Sequence, residues 1–324
     1  MYRSLLRTLC TTALLSLVAP GATAQSFPQK TVRILVGFAP GGSTDLTARI
    51  YAQEFARAWG QQVIVDNRPG ASGLIAGELT AKAPGDGYTL LVSPQTTTVV
   101  APLIMKKLGF DPRELMPLAV IGSTPQLLVL HPSIPTKDFK EFTAFVKSNY
   151  KNLSFGSGGI GSTPHMAGEL FNTSLGVRVI HVPYKGENPG VADLLAGQIP
   201  FMFSNFPVVY PHVQSGRLRA VAITSPQRSQ LAPEIPTVAE SGVPGFDTAT
   251  WSGLYAPPKT ARDAVQRIAA DILKIKSGAE FQKRMLTQGI DISSADTPEK
   301  HAAFIKVEFD RWGKVAREAG VRVE

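Results

Sequence analysis

Two glycine-rich turns carry the residues best suited to chemistry in this 324-residue chain. One is Phe38-Ala39-Pro40-Gly41-Gly42-Ser43-Thr44-Asp45; the other is Gly156-Ser157-Gly158-Gly159-Ile160-Gly161-Ser162-Thr163-Pro164-His165. Each follows a strand-like run and precedes a helix-like one. Glycines let the backbone turn so that several N–H groups point one way. A helix start adds unpaired N–H donors and a partial positive charge. Neither turn contains Lys or Arg, so the pattern fits a carboxylate held by main-chain dipoles. The plainer alternative is a pair of tight strand-to-helix turns. Two such turns at the carboxyl ends of strands, facing each other from separate lobes, favour binding.

Other chemistries find less support. Gly156-Ser157-Gly158-Gly159-Ile160-Gly161 matches the dinucleotide pattern G-x-G-x-x-G. That use needs an acid at the end of the next strand, and Val177-Arg178-Val179-Ile180-His181 has none. Gly70-Ala71-Ser72-Gly73 is one residue short of a nucleophile elbow. His131, His165, His181, His212 and His301 are scattered without metal-ligand spacing. His165 adjoins a glycine turn and reads as a packing or ligand-contact residue. The acidic pairs Asp271/Glu280 and Glu308/Asp310 read as solvated helix faces. No catalytic residue, metal or cofactor is expected.

The elements that must position the two turns alternate between strand and helix. A β-branched run at 31–36 leads into the first turn, and Leu46, Ile50, Phe55 and Trp59 mark a helix over 46–59 stopped by Gly60. Strands follow at 63–65 and 88–92 with a helix near 74–83, a βαβαβ order that implies a mostly parallel sheet. The pattern then repeats: a strand at 126–130, a helix at 137–148, and a strand at 153–155 opening into the second turn. Thr163 is the expected N-cap of the next helix, with Pro164 in its first turn. Further strands are expected at 177–182, 199–203 and 218–224, then helices at 261–276, 280–288 and 298–319. Thr260 and Thr297 are the expected caps of the first and last of these. The chain would cross between lobes near 122–125 and 247–252. The fold class is α/β, with two doubly wound lobes and a C-terminal helical segment.

The amino terminus reads as an export signal. Arg3 and Arg7 precede a mostly apolar stretch over 9–19, and Ala22-Thr23-Ala24 gives a small-x-small cleavage pattern. Cleavage after Ala24 is expected, with removal of Cys10, the single cysteine. Losing Arg3 and Arg7 lowers Lys+Arg from 33 to 31 against 25 acids, so the net charge falls from +8 to +6. The basic residues are dispersed, unlike the clustered face of a nucleic-acid binder. No later segment is long and apolar enough for stable membrane insertion.

At the level of ordered motifs the chain resembles the extracytoplasmic solute receptors of tripartite tricarboxylate transporters, the Bug receptors. The resemblance is carried by the first glycine turn with Ala48-Arg49, by Asn67-Arg68-Pro69-Gly70-Ala71, and by Gly85-Asp86-Gly87-Tyr88-Thr89-Leu90. It continues in the second glycine turn with His165, in His181-Val182-Pro183-Tyr184-Lys185-Gly186, and in Ile235-Pro236-Thr237-Val238-Ala239-Glu240. It implies a type II periplasmic-binding-protein fold with a two-strand hinge, divided as signal peptide 1–24, lobe one 25–124 with 250–324, and lobe two 125–249. It implies capture of a small carboxylate, delivery to the membrane permease subunits of such a transporter, periplasmic location and a monomeric state.

Carried over by position, the resemblance assigns Phe38, Ala39, Gly41, Gly42, Ser43 and Asp45 to the lobe-one cradle. Gly156, Ser157, Gly158, Gly161, Ser162 and His165 form that of lobe two. Ser93, Gln95 and Thr96 would line the same rim, and Tyr184 and Lys185 would sit at the end of the next lobe-two strand. Asp45 also fits a helix-stabilising role in the first turn; Tyr184 also fits a cleft wall and Lys185 a solvated surface. Where relatives often carry an Asp after the strand at 199–203, this chain has Ser204-Asn205, and Glu187-Asn188-Pro189-Gly190 is unusual beside Tyr184. Asn205 can donate and accept, which suits a neutral or second acidic ligand group. An amine-bearing ligand would lack a countercharge there. A hydrolase on the same frame, or a receptor feeding a membrane sensor, remain the alternatives.

Overall fold

The computed structural model describes residues 27–322; the expected signal peptide and its cleavage site lie outside them. The first lobe opens with β1 (Val32–Val36), α1 (Ser43–Trp59), β2 (Val63–Asn67), α2 (Leu74–Ala81) and β3 (Thr89–Pro94). A π-helical turn, Thr96–Val100, then runs into the short α3 (Ala101–Ile104). Next comes β4 (Met116–Leu130), a 15-residue strand. The second lobe contains α4 (Phe139–Asn149), β5 (Ser154–Ser157), α5 (Thr163–Leu175), β6 (Ile180–Pro183), α6 (Glu187–Leu195), β7 (Phe201–Asn205), α7 (Phe206–Gln214) and β8 (Arg219–Ile223). The chain returns through β9 (Ala249–Ala256), then α8 (Arg262–Lys276), α9 (Ala279–Thr287) and α10 (Pro298–Ala319).

The strands run β2-β1-β3-β9-β4-β7-β5-β6, with β8 also paired to β4. β4 holds the two halves together. Its first part pairs antiparallel with β9, from Met116 opposite Ala256 to Pro125 opposite Ala249. From Gln126 on it pairs antiparallel with β7 and β8. The changeover falls at Pro125, which has no N–H to offer a ladder. The sheet is therefore mixed: β1 is parallel to β2 and β3, and β5 to β6 and β7, while β4 and β9 run against their neighbours.

Burial follows the strand period of two. Leu128 and Leu130 of β4, with Phe201 and Phe203 of β7, join Phe142, Phe155 and Phe171 in one core. The alternate residues Leu127, Val129 and Met202 join Phe206, Val209 and Ile223 on the opposite face. Both faces of this half-sheet are thus buried, as helices on either side require. In the first lobe Val32, Ile34, Leu90 and Val92 pack with Ile50 and Phe55 of α1 and Ile268 and Ile272 of α8. Near the crossover, Trp312 of α10 packs with Val99, Val100, Trp251 and Met166 of α5.

Four local expectations need correction. Ser162, not Thr163, caps α5, its Oγ accepting from the His165 N–H at 3.3 Å. Thr260 does not cap α8; its hydroxyl donates to the Pro257 carbonyl at 2.7 Å, and Ala261 precedes the helix. Glu308 is buried rather than solvated, because its Oε2 accepts both the Trp251 and Trp312 indole N–H groups at 2.7 and 2.8 Å. Asp271 likewise accepts the Trp59 indole N–H at 2.7 Å. Thr297 does cap α10, its hydroxyl accepting from the Lys300 N–H.

Candidate functional site

The first glycine turn ends where α1 begins. Gly42 is the N-cap, and the first helical bond runs from the Leu46 N–H to the Gly42 carbonyl at 2.9 Å. The N–H groups of Ser43 and Thr44 therefore lack an intrahelical acceptor, as the first turn of any helix leaves them. Gly41, at φ +83°, turns the chain into the helix and donates its N–H to Asp45 Oδ2 at 2.9 Å. Asp45 also accepts from Arg49 Nε at 2.9 Å and from Asn67 Nδ2 at 2.9 Å. Burial alone would raise its carboxyl, but the hydrogen bonds from Arg49, Gly41 and Asn67 and the Arg49 charge hold it below the ordinary carboxylate range. All these bonds lie within lobe one, so the geometry gives Asp45 the role of fixing the turn.

The second glycine turn is more self-contained than its composition implies. The Gly159 N–H donates to Ser157 Oγ at 3.1 Å, that of Gly161 to His165 Nδ1 at 3.0 Å, and that of Ser162 to the Gly159 carbonyl. Pro164 has no N–H, so Thr163 offers the free amide of the first helical turn. His165 accepts on Nδ1, which places its proton on Nε2. Its ring stacks on His181 with centroids 3.8 Å apart. His181 Nε2 meets Ser157 Oγ at 2.6 Å. Burial, and secondarily the neighbouring His165, push His181 down to about 3. The stacked pair braces the turn from behind.

The two helix starts open on one cavity of about 40 Å³ between the lobes. From lobe one come Phe38, Ala39, Gly42, Ser43, Thr44, Pro94, Thr96 and Thr250; from lobe two, Gly158, Ser162, Thr163, Pro164, Gly186, Glu187, Asn188 and Asn205. Among the described residues no Lys or Arg lines it. The lobes touch around it: Asn205 Nδ2 donates to Ser43 Oγ at 2.8 Å, Asn188 Nδ2 to the Pro40 carbonyl at 2.9 Å, and Ser72 Oγ to the Ile160 carbonyl at 2.8 Å. An adjoining space of about 340 Å³ shares Phe38, Gly158 and Gly186 and is walled by residues 69–73 and by Tyr184 and Lys185.

Among the residues singled out from the sequence, Phe38, Ala39, Gly42, Ser43, Thr96, Gly158, Ser162 and Asn205 therefore meet at the small cavity. The rest stand behind it or beside it. Gln95 is buried at the crossover, its Nε2 donating to the Ala249 carbonyl at 2.7 Å and its Oε1 accepting from the Trp251 N–H. Ser93 is buried in β3, its hydroxyl on the Pro94 carbonyl. Gly156 and Ser157 belong to β5, where a Cβ at 156 would stand 2.4 Å from Ile199. Gly161 faces lobe one, where a Cβ would stand 2.7 Å from Ile104. Tyr184 donates to Asp193 at 2.7 Å and is pushed up to about 12, by burial first and then by that carboxylate.

Glu187 was missed as a site residue. It begins α6 after Gly186 at φ +114° and folds onto the start of α7. Its Oε2 accepts from Ser204 Oγ at 2.7 Å and from the Asn205 N–H at 2.9 Å, and its Oε1 accepts from Asn205 Nδ2. Burial raises its carboxyl, against the opposing effect of these hydrogen bonds. The expectation that Asn205 stands without a nearby acid is thus corrected: the acid comes from the next helix start, not from the strand. Its one sequence signal was the oddity of Glu-Asn-Pro-Gly after Gly186.

Comparison with known proteins agrees with this architecture. Residues 47–321 match the model of the tripartite tricarboxylate transporter family receptor. Rpa4515 of R. palustris, solved with adipate, is 32% identical, with TM-score 0.89 over 91% of this chain and 99% of that one. MatC of Rhodopseudomonas palustris, solved with bound malate, is also 32% identical, with TM-score 0.83 over 89% and 99%. The periplasmic binding protein BugD is 31% identical, with TM-score 0.87 over 92% and 100%. These likenesses make the fold that of a two-lobed periplasmic binding protein, and its relatives bind solutes rather than transform them. With the family model spanning most of its length, this chain belongs to the Bug-type receptors of tripartite tricarboxylate transporters.

Proposed function

We propose that this protein is an exported receptor that captures a small carboxylate between its lobes and hands it to the membrane permease subunits of a tripartite tricarboxylate transporter. The observation that carries the reading is the meeting of two helix amino ends, α1 and α5, from opposite lobes at one cavity lined, among the described residues, by no cationic side chain. The adipate and malate held by its relatives support a carboxylate, and BugD supports a periplasmic site of action. Lobe one comprises residues 25–124 and 250–324, and lobe two 125–249, in a monomer. Among the described residues no helix is long and apolar enough to cross a membrane.

The carboxylate docks on the Ser43 and Thr44 amides, and lobe two closes to add the Thr163 amide and the Ser162 edge. Contacts present only in the closed form shift the population toward it. A thermal-shift screen of carboxylates on residues 25–324 tests the reading. A ligand at about 100 times its Kd adds about 2.7 kcal/mol of apparent stability. Gly158→Val is the control, because a Cβ there already stands 3.2 Å from Glu187 Cγ and a branched side chain fills the cavity edge. Loss of the shift in that variant is expected; full retention contradicts the site.

A further inference from the structure

The polar groups lining the cavity narrow the ligand class, and the inference rests on the receptor reading above. Glu187, Asn205 and Thr163 all line the cavity. A carboxylate only accepts, so the Asn205 amide nitrogen, not its oxygen, must face Glu187. That nitrogen also donates to Ser43 Oγ across the lobes, which uses both of its protons. Asn205 Oδ1, on a residue 1% exposed, is left without a hydrogen-bond donor among the described residues. Thr163 Oγ1, also on a residue 1% exposed, has no partner either. A buried carbonyl oxygen without a donor is unfavourable until something supplies one.

We propose that the ligand is a compact amino-carboxylate: its carboxylate rests on the α1 and α5 amides, and its ammonium is received by Glu187 and Asn205 Oδ1. An ammonium has three donors, no acceptor and the charge that offsets a carboxylate. Glu187 supplies that carboxylate and burial has pushed its proton affinity up, so a cationic neighbour stabilises its ionised form. A second carboxylate beside Glu187 and Asn205 Oδ1 meets acceptors where it needs donors, and a like charge. The chain thereby departs from its relatives solved with adipate and malate, both of them dicarboxylates.

The test is calorimetric titration of residues 25–324 near neutral pH with unbranched acids of increasing length. At each length the far end is methyl, ammonium, primary amide or carboxylate, and the 2-amino acids of the same skeletons are included. The amino acids should bind about a hundredfold more tightly than the dicarboxylates of equal length. Glu187→Gln, nearly isosteric, should reduce that ratio to about tenfold or less. The ranking in the unsubstituted protein decides the matter even if the variant does not fold. Tighter binding of a dicarboxylate than of any amino acid, or a ratio unchanged in Glu187→Gln, overturns the inference while leaving the receptor reading intact. Binding of no acid in the series overturns the receptor reading itself.

Discussion

Asp45 shows how much of a binding turn is built by residues that stay off the ligand. Its carboxylate joins Gly41, Arg49 and Asn67, so it fixes both the turn and the adjacent strand end. Asp45→Ala should lower stability by about 2 kcal/mol, read from denaturant melts, because it leaves part-buried donors without their charged acceptor. The pH dependence has a definite sign. The carboxyl is held below its ordinary range in the fold, so its contribution is present above the unfolded value and lost as pH falls through the folded one. Asp45→Ala melts should therefore show a shallower loss of stability in acid than the parent, and an equally steep loss contradicts the assignment. Asp45, in a first helical turn, was legible from its position alone. Glu187 was not, because its role arises only when it meets Asn205, 18 residues on in sequence, at the start of α7.

The elements differ in how plainly they are written in the chain. α1 and α8 were legible because their buried residues recur at helical spacing, with Phe55 and Trp59 in one and Ile268 and Ile272 in the other. β4 was read as a crossing segment followed by a short strand. It is one strand, since Pro117, Gly122 and Pro125 disguise a run held by three partner strands, β9 along its first part and β7 and β8 beyond Pro125. α6 and α7 were hidden by Pro189, Pro207 and Pro211, which local propensity treats as breaks; packing of Val191, Leu194, Phe206 and Val209 overrides it. The turn before α5 carries the element-scale prediction. Gly161 sits at φ +74°, and its missing Cβ leaves room for Ile104 of the other lobe. Gly161→Ala should cost about 1–2 kcal/mol in backbone strain and weaken ligand binding further by obstructing closure. The two effects separate in thermal melts with and without ligand; an unchanged ligand-induced shift contradicts the closure argument.

At the scale of the molecule, the lobes meet at a cavity lined by polar groups of both kinds. Free main-chain donors stand at the starts of α1 and α5, and acceptors stand at Glu187 and Asn205. β4 and β9 join the halves, while Gln95 and Glu308 secure the crossover through Trp251 and Trp312. The proposed capture requires the lobes to part and meet about this crossover. The crystal structure of residues 25–324 with the tightest acid from the titrations is the most direct test. The account predicts carboxylate oxygens within hydrogen-bond distance of the Ser43 or Thr44 amide and of the Thr163 amide, with both lobes in contact. A ligand held instead by Lys185 or another cationic side chain, or seated outside the interlobe cavity, contradicts it.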